Sequence, residues 1–154
     1  FDIQDSDYIL IFGSGLIEGW ESPVFMFQGK SALKERGGRM DQIEPRLSKT
    51  AAKSDKWIPV TPGTEGALAL GLANVIIAGG LYHQDFVGNH TAGFAEFKKI
   101  VLDGYSPDAV SKMTGLDTAA ISTMARDFAK ARRPLASVTS VKRGVAPGAS
   151  RSLR

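Results

Sequence analysis

Three short stretches of this chain combine residue types that handle phosphates, sugars and bases. The first is Gly13-Ser14-Gly15-Leu16-Ile17-Glu18-Gly19, directly after the apolar run Tyr8–Phe12. Glycines there let backbone approach a phosphate closely, and N–H groups near a helix start supply donors and partial positive charge. The spacing is GxGxxxG rather than the GxGxxG of dinucleotide sites, and a purely structural tight turn has the same residues. The second stretch is Glu44-Pro45-Arg46 with Ser48, Lys49 and Thr50. A carboxylate at the carboxyl end of a strand accepts bonds from a ribose or a base, and an arginine beside it forks onto phosphate; a surface ion pair beside a strand-ending proline is the plainer alternative. The third is Thr61-Pro62-Gly63-Thr64-Glu65. Glu65 there is suited either to the paired N–H donors of guanine or to the first turn of a helix, where the dipole favours a negative charge.

Elements that would position these stretches can be read from the apolar pattern. Tyr8–Phe12 is a continuous apolar run bounded by acidic residues and glycine, as in a strand buried on both faces. Ser22-Pro23 opens a helix to about Glu35 that Gly37-Gly38 closes. Arg39–Ile43 reads as a second strand stopped at Pro45, and Trp57–Val60 as a third stopped by Pro62-Gly63. Thr64 to about Ala78 is apolar almost all round and reads as a buried helix. A loop is expected over Tyr82–Asn89, then a helix capped by Thr91 to about Asp103. Two more helices follow, one from Ser106-Pro107-Asp108 to Gly115 and one capped by Asp117, before a fourth strand over Pro134–Ser140. Strands alternating with helices predict an α/β domain over residues 1–140, with a mostly parallel sheet of about four strands. The Gly-, Pro- and Arg-containing tail 141–154 is expected to be irregular.

Composition narrows the function classes. At 154 residues and 43% hydrophobic, the chain has the length of one ordinary domain. It has no cysteine, so it holds no disulfide, thiolate nucleophile or iron–sulfur cluster of its own. No apolar run reaches the length of a membrane span and no basic segment precedes the first apolar stretch, so neither direct membrane insertion nor a signal peptide is expected. The net charge of +3 reflects cations gathered between Arg126 and Arg154 without interleaved aromatics, which does not suggest nucleic-acid binding. His83 and His90 have only Asp85 between them as a carboxylate, so loop packing and helix-start hydrogen bonding are expected of them rather than catalysis. Trp20, Trp57 and the phenylalanines read as core or interface.

The order of the pieces carries more than any one of them. DYILIFGSG, then GGRMDQIEPRLSKTAAKSDKWIPVTPGTEGALALGLANVII, then FVGNHTAGFAEF and AAISTMARDFAKA resemble the catalytic subunits of the dimethyl-sulfoxide-reductase superfamily of molybdopterin oxidoreductases, over residues 7 to about 136. The resemblance implies a Rossmann-like three-layer domain that grips one molybdopterin guanine dinucleotide of a bis-cofactor carrying molybdenum or tungsten. It gives Gly13, Ser14, Gly15 and Glu18, then Glu44 and Arg46, then Gly63, Thr64 and Glu65 the task of lining the nucleotide end. Family members commonly have Asp at the positions of Glu44 and Glu65, and often Asn at that of Gly15; each Glu here is one methylene longer. The resemblance further implies a parent protein whose iron–sulfur cysteines and metal ligand precede this segment, with an iron–sulfur electron-transfer subunit as partner. No catalytic residue is expected in this chain, and its compartment stays open. An ordinary NAD(P)-binding Rossmann domain would place a carboxylate about 20 residues after the glycine turn, whereas Glu44 lies 29 positions past Gly15. A non-catalytic interaction module would show no nucleotide affinity.

Overall fold

The computed structural model describes residues 2–18 and 22–138. Gly19 and Trp20, the last two positions of the expected fourth strand and the tail 141–154 lie outside the described residues. Among the described residues four strands, β1 (Tyr8–Phe12), β2 (Arg39–Ile43), β3 (Lys56–Ile58) and β4 (Pro134–Val138), form one all-parallel sheet in the order β3-β2-β1-β4. Seven helices accompany them among the described residues: α1 (Pro23–Glu35), α2 (Lys49–Lys53), α3 (Glu65–Ala78), α4 (Gln84–His90), α5 (Phe94–Gly104), α6 (Pro107–Thr114) and α7 (Thr118–Lys130).

β1 is central and all five of its residues are buried, which is why its sequence is apolar without alternation. Its side chains divide by parity between two cores. Tyr8, Leu10 and Phe12 meet Leu68 and Leu72 of α3, Val110 of α6, and Ile121 and Met124 of α7. Ile9 and Ile11 meet Leu16, Ile17, Met40, and Met26 and Leu33 of α1. The result is three layers, with α1 on one face and the α3–α7 group on the other. That division is what right-handed crossovers require when the chain steps outward from β1 to β3 and then returns past β1 to β4. Asp7 fixes the return, because its carboxylate accepts the backbone N–H groups of Arg132 and Arg133, both at 2.9 Å, beside the start of β4. Gly71 lets α3 and α6 approach closely: a Cβ on it would fall 2.8 Å from Val110 Cγ2.

Several boundaries differ from the sequence expectation. β3 ends at Ile58 rather than Val60, because Pro59 has no N–H to continue the ladder. The five-residue α2 is too short to show a helical period, and it forms because the Ser48 hydroxyl accepts from Ala51 N. The expected loop over Tyr82–Asn89 is largely helix: α4 buries none of its residues, so it leaves no apolar stripe in the sequence. Thr91 does not cap the next helix; its hydroxyl donates back to Val87 O at 2.7 Å, and α5 starts from Gly93 at φ 75°.

Candidate functional site

At the carboxyl end of β1 the chain turns at Gly13, whose φ of 66° is left-handed and whose N–H donates to Ile43 O at 2.9 Å. The turn is then tied down from below and from the side. Gln42 Nε2 donates to Ser14 O at 3.1 Å, and Leu16 and Ile17 fold into the core on the α1 face. Ile17 N donates to Thr50 Oγ1 at 3.2 Å, while Glu18 Oε1 accepts from Thr50 N at 3.1 Å. Glu18 therefore spends one carboxylate oxygen on the first turn of α2.

At the end of β2 Glu44 is 7% exposed. Its Oε1 accepts from Ser48 N at 3.1 Å, and its backbone carbonyl accepts from Trp57 Nε1 at 3.0 Å. These contacts fold the carboxylate back over the strand end and leave Arg46 in solvent. Beyond β3, Gly63 turns the chain at φ 82°, and the Thr64 hydroxyl donates to Thr61 O at 2.6 Å. Glu65 opens α3, half-buried, its carboxylate without a hydrogen bond or ion pair among the described residues.

The ends of β1, β2 and β4 and the start of α3 surround one cavity of about 480 Å³, within the range of small-molecule sites. Four of the residues singled out in the sequence line it: Gly13, Glu44, Arg46 and Glu65. Ser14, Gly15, Glu18, Gly63 and Thr64 belong to the adjoining turns and do not line it. The lining also includes Phe12, Gly66, Ala69 and Val138, which sequence reasoning did not select. Gly66 and Ala69 follow Glu65 on one face of α3, and Val138 is in register with Phe12, so only the paired elements reveal them. The cavity thus offers two carboxylates, an exposed guanidinium, the amino end of α3 and an apolar wall. That set suits a ligand carrying both a polar heterocycle and phosphate. Its place also fits, because in the order β3-β2-β1-β4 the chain reverses direction between β1 and β4, where open α/β sheets bind ligands.

The other charged cluster lies toward the opposite end of the sheet. Arg39 Nε and Tyr8 Oη both donate to the buried Asp41 carboxylate, at 2.8 Å each, and the Arg39 guanidinium lies 5.0 Å from the centre of the Tyr8 ring. Burial, reinforced by the Asp41 charge, pushes the Tyr8 hydroxyl well above the usual phenol range. This cluster ties β1 to β2 and has no part in the cavity. His83 caps α4, its Nδ1 accepting from Phe86 N at 3.3 Å, and His90 packs on Phe86 with ring centres 5.2 Å apart. No grouping of three or more potential metal ligands occurs among the described residues, and none of the described helices is long and apolar enough to cross a membrane.

Comparison with known proteins agrees with this architecture. The sequence model of the molybdopterin oxidoreductase family matches residues 1–144. The chain is 32% identical to the menaquinone reductase molybdopterin-binding-like subunit of Nitratidesulfovibrio vulgaris over 91% of its length and 20% of that protein's. It is 32% identical to formate dehydrogenase H of Escherichia coli over 85% of its length and 18% of that protein's. Among solved structures, acetylene hydratase from Pelobacter acetylenicus superposes with a TM-score of 0.76 at 34% identity, covering 88% of this chain and 18% of that one. The chain spans about a fifth of the length of such relatives. Fold, strand-end geometry and a family match over nearly the whole sequence agree, and the chain belongs to the molybdopterin oxidoreductases.

Proposed function

We propose that this chain is the part of a molybdopterin oxidoreductase catalytic subunit that holds the guanine dinucleotide end of a bis-cofactor bearing molybdenum or tungsten. The observation that carries the reading is the convergence of Gly13, Glu44, Arg46 and Glu65, from the ends of β1 and β2 and the start of α3, on one cavity. The donor set fits the nucleotide. Glu65, with no competing partner among the described residues, can accept the side-by-side N1–H and N2–H₂ of guanine. Arg46, exposed at the rim, can fork onto phosphate. Glu44, fixed by Ser48 N, can receive a ribose hydroxyl, and the turn through Ser14 and Gly15 supplies backbone donors to phosphate. Glu18, Gly63 and Thr64 keep those turns in shape.

When bound, the cofactor's metal supplies two-electron redox chemistry, while the protein orients the group and excludes competing contacts. Relatives named arsenate respiratory reductase, formate dehydrogenase and thiosulfate reductase support a redox role for the parent protein. Its partners would then be the remainder of the catalytic subunit and an iron–sulfur electron-transfer subunit. Any cluster must be held outside this cysteine-free sequence. Calorimetric titration of the chain with GDP and CDP tests the reading. GDP is expected to bind and CDP to bind at least tenfold more weakly, since cytosine has no paired N–H donors for Glu65. Absence of GDP binding would overturn it.

A further inference from the structure

Two buried side-chain polar atoms among the described residues have no hydrogen-bond partner, Gln42 Oε1 and Ser137 Oγ. Gln42 is 0% and Ser137 2% exposed. Each is in register with Ile11, one on either side of it, so both share the α1 face of the sheet with that residue. Gln42 spends its amide nitrogen on the turn, donating to Ser14 O at 3.1 Å. Rotating the amide by half a turn would set oxygen against oxygen, so the orphaned atom is the acceptor. A buried glutamine with an orphaned acceptor is less stable in a core than an apolar side chain of similar length. Its neighbours on that face, Ile11 and Met40, are apolar.

We propose that Gln42 is a positioning residue for the phosphate-binding turn. In a planar trans peptide the C=O and N–H point in opposite directions. By drawing the Ser14 carbonyl toward the sheet, Gln42 directs the Gly15 N–H away from it. That N–H makes no hydrogen bond among the described residues and is left to a ligand oxygen. The amide is retained for the turn at the expense of the core. This inference rests on the nucleotide reading above.

The test compares thermal melting and GDP affinity in the 154-residue chain, its Gln42→Met variant and its Ser137→Ala variant. Gln42→Met loses an orphaned acceptor but also takes the amide donor from the Ser14 carbonyl; the two effects oppose each other, so it should melt close to the parent, yet bind GDP about tenfold more weakly. Ser137→Ala removes the other orphan without touching the turn, and should melt no lower and bind GDP as the parent does. A Gln42→Met chain that binds GDP like the parent would overturn the inference and leave the nucleotide site standing, whereas a parent chain that binds no GDP removes both. Weakened GDP binding in Ser137→Ala would also overturn it, because the effect would then belong to the core in general. Should Gln42→Met fail to fold, Gln42→Leu takes its place. Failure of both would show that the amide holds the fold rather than the turn.

Discussion

At the residue scale, Glu65 and Arg46 separate binding from folding most cleanly. The Glu65 carboxylate makes no internal bond among the described residues, so its contribution to the apo fold is the helix-dipole term, about 0.3–1 kcal/mol at a first turn. A desolvated contact between its carboxylate and the guanine donors is stronger, because removing it leaves base donors unpaired at a cost of about 1–3 kcal/mol. Glu65→Gln presents an amide donor where an acceptor is needed. In the full-length parent it is expected to lower the GMP released per protein while the melting midpoint stays close to the original. Full GMP content with a lowered midpoint would make Glu65 only a helix-start residue. Arg46 is solvent-exposed, so Arg46→Ala should change stability by no more than about 0.5 kcal/mol. Loss of a charge-assisted bond to phosphate should weaken GDP binding by about 1.5–3 kcal/mol, tenfold or more, in the same titration.

At the scale of elements, two contacts hold the scaffold under the site. Gly71 is where α3 meets α6, and a side chain there drives against Val110. Gly71→Val is therefore expected to destabilise the chain by about 1–3 kcal/mol in denaturant unfolding. GDP affinity of the folded fraction should persist, because the cavity uses α3 only at Glu65, Gly66 and Ala69. Between β1 and β2, the Tyr8 hydroxyl is harder to ionise in the folded chain than in the unfolded one, first because it is buried and then because it faces Asp41. Such a group contributes stability that is fully present below its unfolded pKa, near 10, and is lost as the pH rises above that value. Stability should thus decline from about pH 10 upward, and Tyr8→Phe should flatten the decline. An unchanged slope in Tyr8→Phe would mean that another group governs alkaline unfolding.

For the molecule as a whole, a chain that spans about a fifth of its relatives' length and has no cysteine is expected to show no turnover with artificial electron carriers when purified alone. Turnover by the pure chain would show that the chemistry resides here and not in the parent's remaining parts. The parallel α/β architecture was legible in the sequence because burial on both faces demands a run such as Tyr8–Phe12, and because caps and breakers such as Pro23, Gly37 and Gly115 mark helix ends with little tertiary help. Gly13, Glu44, Arg46 and Glu65 were legible as candidates because strand ends in parallel sheets have a characteristic chemistry. α2 and α4 were not, since one is a single capped turn and the other buries nothing. Tertiary structure alone decided which candidates share the cavity, that Val138 closes it from β4, and that Glu18 is occupied by Thr50 N. Those facts depend on strand order and register, which join residues as far apart as Phe12 and Val138, and no local pattern of side chains records such pairings.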